Sequence, residues 1–132
     1  MDKIKEFFIE LKKNYPCNIT FCSDNVCEKE LEKVPAALHD FYKTVSEAEL
    51  PFGRIFSLET ALKESTSFPA DWFFFGQDNY FSFWLCSYHP DTEGLSFTSW
   101  DHEAHTEIEA VDKDILSFLQ YELEDYQENE GI

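Results

Sequence analysis

The chain has 132 residues, 43% hydrophobic and 17% aromatic, with 14 Phe but only 4 Gly and 5 Pro. This composition excludes a disordered, collagen-like or low-complexity chain and suits one domain, residues 1–132, that needs no disulfide or metal staple. Ten basic residues against 27 acidic ones, a net charge of −17, exclude an electrostatic footprint for nucleic acid or anionic lipid; the charge either attracts a basic partner or only keeps an aromatic-rich chain soluble.

The charge is uneven. Residues 91–132 hold thirteen acidic residues and one basic one, Lys113, whereas residues 1–90 hold fourteen acidic and nine basic. Most of the negative field therefore comes from the C-terminal third. The N-terminal stretch alternates charged and apolar residues without a pure apolar segment, and no apolar run approaches 18 residues. The expectation is a cytoplasmic protein with neither a secretory signal nor a membrane span.

Residues 3–13 read as an amphipathic helix, with Ile4, Phe7, Phe8 and Leu11 at i, i+3, i+4 and i+7 and Asp2 as N-cap. The helix should stop before Tyr15-Pro16. Ile19 to Phe21 suits a short edge strand. A second helix follows, with a first turn from Glu28, Pro35 at an N1 position and Leu38, Phe41, Tyr42 and Val45 as its stripe. It should end near Ser46, ahead of a turn over Leu50-Pro51-Phe52-Gly53. A short strand over 54–57 leads to Ser57, which can cap a short helix reaching Glu64.

The centre of the chain reads as β. A strand over 71–76, a turn at Gln77-Asp78-Asn79 and a return strand over 80–86 make an aromatic hairpin. A polar loop leads to a strand over 95–100, with Leu95 and Phe97 facing the core and Ser96 and Thr98 on the other face. Residues 107–111 suit one more short strand. Asp112 suits the N-cap of a last helix over 113–127, which buries Ile115, Leu116, Phe118, Leu119, Leu123 and Tyr126 and turns Glu122, Glu124, Asp125 and Glu128 outward. The resulting class is α+β: a single domain with a central antiparallel sheet of about four to six strands and the N- and C-terminal helices packed on it.

Signals for chemistry are sparse. Cys17, Cys22 and Cys27 are spaced five apart and form no CxxC knuckle, so free thiols are expected for these and Cys86. Asp101-His102-Glu103-Ala104-His105 is the one dense polar cluster, but its spacing matches neither a helical metal motif nor an acid–base pair on one face of a strand. It reads as a polar strand end. His39 and His89 have no evident partner. No nucleophile elbow and no phosphate-cradling glycine motif is present. No enzyme, metal or cofactor is therefore expected. The aromatics of residues 72–84 read mainly as core, with a subset left exposed, rimmed by acidic residues, as a protein-binding patch.

Four segments carry a resemblance. Val34-Pro35-Ala36-Ala37-Leu38-His39-Asp40-Phe41-Tyr42 resembles the LPxxLxxFY helix of the SUKH superfamily, and Leu50-Pro51-Phe52-Gly53-Arg54-Ile55-Phe56 resembles the segment that follows it. Trp72-Phe73-Phe74-Phe75-Gly76-Gln77-Asp78 looks like a family strand ending in a Gly-x-Asp turn. Phe97-Thr98-Ser99-Trp100-Asp101-His102-Glu103 is similar to the WDHE segment of the YobK-like bacterial immunity proteins. The superfamily also includes yeast cell-wall synthesis regulators. Where the family helix often ends in Asn-Gly, this chain has Ser46-Glu47-Ala48-Glu49.

The resemblance implies an α+β fold and no catalytic residues. It gives structural roles to Pro35, Phe41, Pro51, Gly53, Trp72, Gly76, Asp78, Trp100 and Asp101, with Trp72 and Trp100 packing, Gly76 permitting a turn and Asp101 capping backbone. It implies a non-enzymatic immunity protein that neutralises a cognate toxin, a basic nuclease or nucleic-acid deaminase. Tyr80, Glu103, Glu107, Glu109, Glu122, Asp125 and Glu128 are the expected contact residues. The protein is expected to be a monomer or weak dimer. The runner-up is a regulatory or scaffold module without a toxin partner, and the third reading is a small enzyme using His102 with Asp101 or Glu103.

Overall fold

The computed structural model describes residues 3–21, 31–101 and 107–129. Helix α1 spans Lys3–Asn14 and buries Phe8 and Leu11, the centre of the expected stripe. It closes where Tyr15 N–H donates to Leu11 O at 2.9 Å, one residue before Pro16. Asp2 lies outside the described residues. Strand β1 follows over Asn18–Phe21 as the edge strand that the sequence suggests.

The second helix ends earlier than expected, and its expected first residues, Glu28 to Glu30, lie outside the described residues, as do Cys22 and Cys27. A 3-10 turn, Ala36–Leu38, starts after the extended Pro35, and α2 covers only His39–Thr44. The chain then extends at Val45 into β2, Val45–Leu50, where the sequence predicts helix to Ser46 and then a loop. The reason is tertiary. Glu and Ala favour helix, but with β1 on one side and β3 (Gly53–Ile55) on the other, both edges of the segment are hydrogen-bonded. Alternation then buries Ala48 and Leu50 and leaves Glu47 and Glu49 outside, and a register shift opposite Thr20 and Phe21 lets Val45 be buried as well. Pro51 and Phe52 make the two-residue turn, with Leu50 opposite Gly53. Strand β3 therefore starts at Gly53 and ends before Phe56 and Ser57, the latter part of the predicted 54–57 strand.

Ser57 caps helix α3, Leu58–Glu64, accepting from Thr60 N–H at 3.3 Å. A 3-10 turn over Ser65–Ser67 follows. Its Ser65 hydroxyl accepts from Phe74 N–H at 2.8 Å, pinning α3 to the middle of β4, Trp72–Asp78. The hairpin to β5, Phe83–Ser87, turns later than the sequence suggests. Gln77 and Asp78 remain in β4, and residues 79–82 turn because Asp78 Oδ1 accepts from both Tyr80 N–H and Ser82 N–H at 2.8 Å.

Strand β6 is limited to Phe97–Trp100 and completes a six-stranded antiparallel meander in sequence order. Phe97 faces the core as expected, whereas Leu95, also expected there, precedes the strand and is half-buried outside the core cluster. Ser96 and Thr98 are also buried, so this strand is covered on both sides. The predicted strand over 107–111 does not form. That segment touches the sheet at its end, through one bridge between Asp112 and Phe97, and Val111 is exposed. The bridge also keeps Asp112 from capping the last helix, α4, Ile115–Asn129. Asp114 does so instead, its Oδ1 accepting from Ser117 N–H at 2.8 Å.

Helices α1, α2 and α4 supply the core over one face of the sheet. Phe118 of α4 lies with its ring centre 5.8 Å from Phe75, 5.6 Å from Trp84 and 6.0 Å from Phe97. Tyr42 of α2 meets Phe73 edge-on at 6.5 Å and donates from its hydroxyl to Phe56 O. Phe41 packs 5.9 Å from Phe8 of α1, and Gln127 of α4 donates to the Tyr15 hydroxyl. The fold is therefore α+β, with a six-stranded sheet and four α-helices among the described residues.

Candidate binding trough

Alternation along six strands gives the sheet a second face. Asn18 and Thr20 of β1 stand opposite Glu49 and Glu47 of β2, and Glu49 stands opposite Arg54 of β3. On β4 to β6 this face carries Trp72, Phe74, Phe83 and Trp100, with Phe83 directly opposite Trp100. The polar half and the aromatic half together floor an open trough of about 1200 Å³. One wall comes from α3 and the chain after it, through Thr60, Glu64 and Phe68, and Glu107 and Ile108 also line the trough.

The aromatic half is a packed ladder. Phe68 lies 4.8 Å from Phe74 and 5.3 Å from Phe83, Phe74 lies 4.9 Å from Phe83, and Phe83 lies 6.1 Å from Trp100. Phe56 meets Phe74 edge-on at 5.0 Å, and the Arg54 guanidinium sits 5.5 Å from the Phe56 ring centre. Phe74 is buried by these neighbours, while Trp72, Phe83 and Trp100 remain half-exposed to the trough. Among the described lining residues the acidic side chains are Glu47, Glu49, Glu64, Asp71 and Glu107, and the basic one is Arg54. An aromatic half-floor beside carboxylates on the other half and on the walls favours a ligand that is cationic and carries apolar groups.

The expected contact residues do not form one surface. Glu107 is in the trough wall. Glu109 is exposed outside its lining. Asp125 and Glu128 are exposed on α4, which packs on the opposite face of the sheet. Tyr80 stands at the β4–β5 tip, 69% exposed, next to Phe81 at 70%. Glu103 lies outside the described residues, as do His102 and His105.

Glu122 corrects the expectation outright. It is 8% exposed, on the inner stripe with Ile115, Phe118 and Leu119. Burial first, then the nearby Asp78, raises its pKa to about 7, against weaker opposing pulls from Trp84 and Ser99 and a small further push from Asp125.

The residues of the resembling segments have concrete roles. Pro35 precedes the 3-10 turn, Phe41 is fully buried and Pro51 turns the β2–β3 hairpin. Gly76 is not in a turn. It lies inside β4, where a Cβ would come within 2.7 Å of the Trp84 ring and 2.5 Å of Arg54 O. Gly53 makes room for the same indole, with 2.6 Å to the Trp84 ring. Asp78 makes the turn that Gly76 was expected to permit. Trp72 and Trp100 line the trough, and Asp101 is exposed at the end of β6.

Cys86 is a free thiol whose pKa burial pushes well up, so it stays protonated, and burial also raises Cys17. Contrary to the sequence reading, both described histidines have neighbours. His39 Nε2 donates to Val34 O at 2.9 Å, and the exposed His89 lies 4.0 Å from Asp71. No group of three or more His, Cys, Asp or Glu arranged to hold a metal occurs among the described residues. No described helix is long and apolar enough to cross a membrane.

A signal for the polar half of the floor was present in Glu47-Ala48-Glu49-Leu50, which alternates once read as a strand. Glu64, Asp71 and Phe68 gave no such signal, because they reach the trough through the placement of α3. Comparison with known proteins finds no matching family model, no matching curated protein and no matching solved structure.

Proposed function

We propose that this is a non-enzymatic immunity protein that acts in the cytoplasm, without a cofactor, by seating part of a basic toxin in the trough. The toxin class suggested by the four resembling segments is a nuclease or nucleic-acid deaminase. Such enzymes hold nucleic acid on cationic surfaces, and a strongly acidic inhibitor is complementary to them.

One observation carries the reading: an open, aromatic-floored face whose described charged lining is five carboxylates and one guanidinium. Exposed aromatics supply contact area at low entropic cost, and the carboxylates supply steering and exclude acidic competitors. A monomer or weak dimer would leave this face available.

The test is co-expression with the product of the adjacent gene. Growth rescue from a toxic, basic neighbour, with direct association of the two purified proteins, supports the proposal. Raising salt from about 0.05 to 0.5 M should then slow association markedly. A neighbour that is neither toxic nor bound would give way to the scaffold reading.

A further inference from the structure

Taking the trough as a protein-binding site, on which this step rests, we infer that it is a guanidinium-reading groove. Its occupant is an extended partner segment bearing arginines that alternate with apolar residues. Arg54 displays the ring-stacking half of the mode inside the chain itself: its guanidinium lies 5.5 Å from the Phe56 ring centre, on a strand whose register puts Glu49 opposite it. The trough offers the same combination to an incoming group. Trp72 adjoins Asp71, and Trp100 and Glu107 line the same space.

Arginine fits this pairing better than lysine. The planar guanidinium is weakly hydrated, stacks on an aromatic face and still presents its edge to a carboxylate in two parallel hydrogen bonds. A lysine ammonium is compact and strongly hydrated and gives up more water to lie on a ring. Six strands about 4.8 Å apart make a floor roughly 24 Å wide, which about seven extended residues cross. Alternation on such a segment points its arginines together to one side of the backbone, toward the tryptophans and carboxylates of the trough, and its apolar side chains to the other.

The test uses two synthetic peptides of about nine residues, one alternating arginine with leucine and one alternating lysine with leucine. Each is titrated into the full chain while the fluorescence of its tryptophans is followed, the half-exposed Trp72 and Trp100 being the responsive pair. The arginine peptide should bind about tenfold more tightly than the lysine peptide. The double variant Asp71→Asn, Glu107→Gln should weaken it by about tenfold at unchanged thermal midpoint, since both side chains are exposed.

Equal affinity for the two peptides would overturn guanidinium reading while leaving a basic partner in place. Binding of neither peptide, or binding indifferent to the double variant, would overturn the assignment of the trough to such a segment, whatever the growth rescue shows. A dimer of the chain that the double variant dissolves would assign the trough to a second copy and overturn it as well.

Discussion

The Trp84 indole and the Glu122 carboxyl are buried together between α4 and the sheet, yet neither Trp84 Nε1 nor Glu122 Oε1 has a fully formed hydrogen bond. The indole and the Ser99 hydroxyl are close enough to lower the Glu122 pKa, but burial and Asp78 outweigh them, and the carboxyl titrates near 7. Ionised, it is a charge with too few partners. Protonated, it is a neutral group that fits a predominantly apolar stripe.

A stability consequence follows from the sign of that shift. The unfolded chain loses this proton near 4.5 and the folded chain near 7. Between those values the folded state binds more protons, so the Glu122 contribution falls as pH rises and is lost above about 7. The loss amounts to roughly 3 kcal/mol. Glu122→Gln should therefore be more stable than the parent at pH 8 and nearly equal to it at pH 4.5. Urea unfolding of both proteins at the two pH values checks this, and a constant difference would assign the effect to packing rather than ionisation.

Gly53 and Gly76 make room for the same indole, each leaving less than 3 Å for a Cβ against the Trp84 ring and a backbone carbonyl. A carbonyl in a paired strand cannot step aside, so alanine at either position must displace Trp84 from the centre of the core. Gly76→Ala should cost about 2–3 kcal/mol. Gly94→Ala should cost only about 1 kcal/mol, because its φ of +81° is the sole obstacle and nothing lies within 4 Å. Denaturant midpoints for the pair separate a steric requirement from a conformational one.

Phe81 is held at a φ of +68°, in the left-handed region, with its side chain 70% exposed. The Asp78 side chain imposes the turn by accepting on both sides of it, from Tyr80 and Ser82. A bulky residue there carries about 1 kcal/mol of backbone strain that its own packing does not offset. Phe81→Asn, which tolerates the region, should raise the thermal midpoint by a few degrees. A lowered midpoint would show that the ring has a stabilising contact in solution.

What the sequence made legible, and what it hid, follows one division. Helix α1, the cap at Ser57 and the apolar positions Ile115, Phe118 and Leu119 of α4 are local patterns and formed where periodicity placed them, and the aromatic hairpin formed with its turn displaced to residues 79–82. Strand β2 was hidden because Glu47, Ala48 and Glu49 favour helix until two neighbouring strands claim their backbone. Glu122 was misplaced because charge was taken as a sign of exposure, although strict spacing from Ile115 puts it on the inner stripe. The trough was out of reach for a different reason. Its walls come from segments far apart in the chain, and no local pattern reports that α3 folds back beside β4.

The start of α4 tests that division at a single cap. Two aspartates, Asp112 and Asp114, precede the helix, and either satisfies the preference for a short acidic acceptor there. Only Asp114 receives the Ser117 N–H, with its second oxygen 3.3 Å from the Ser117 hydroxyl. Asp112 is held by its backbone to Phe97, and burial, then repulsion from Asp114, raises the pKa of its carboxyl. Asp114→Ala should therefore cost about 1 kcal/mol at neutral pH. Asp112→Asn keeps the backbone bridge, removes a charge that burial opposes, and should leave stability unchanged or slightly higher. Thermal unfolding of the two variants gives the order, and the reverse order would move the cap to Asp112.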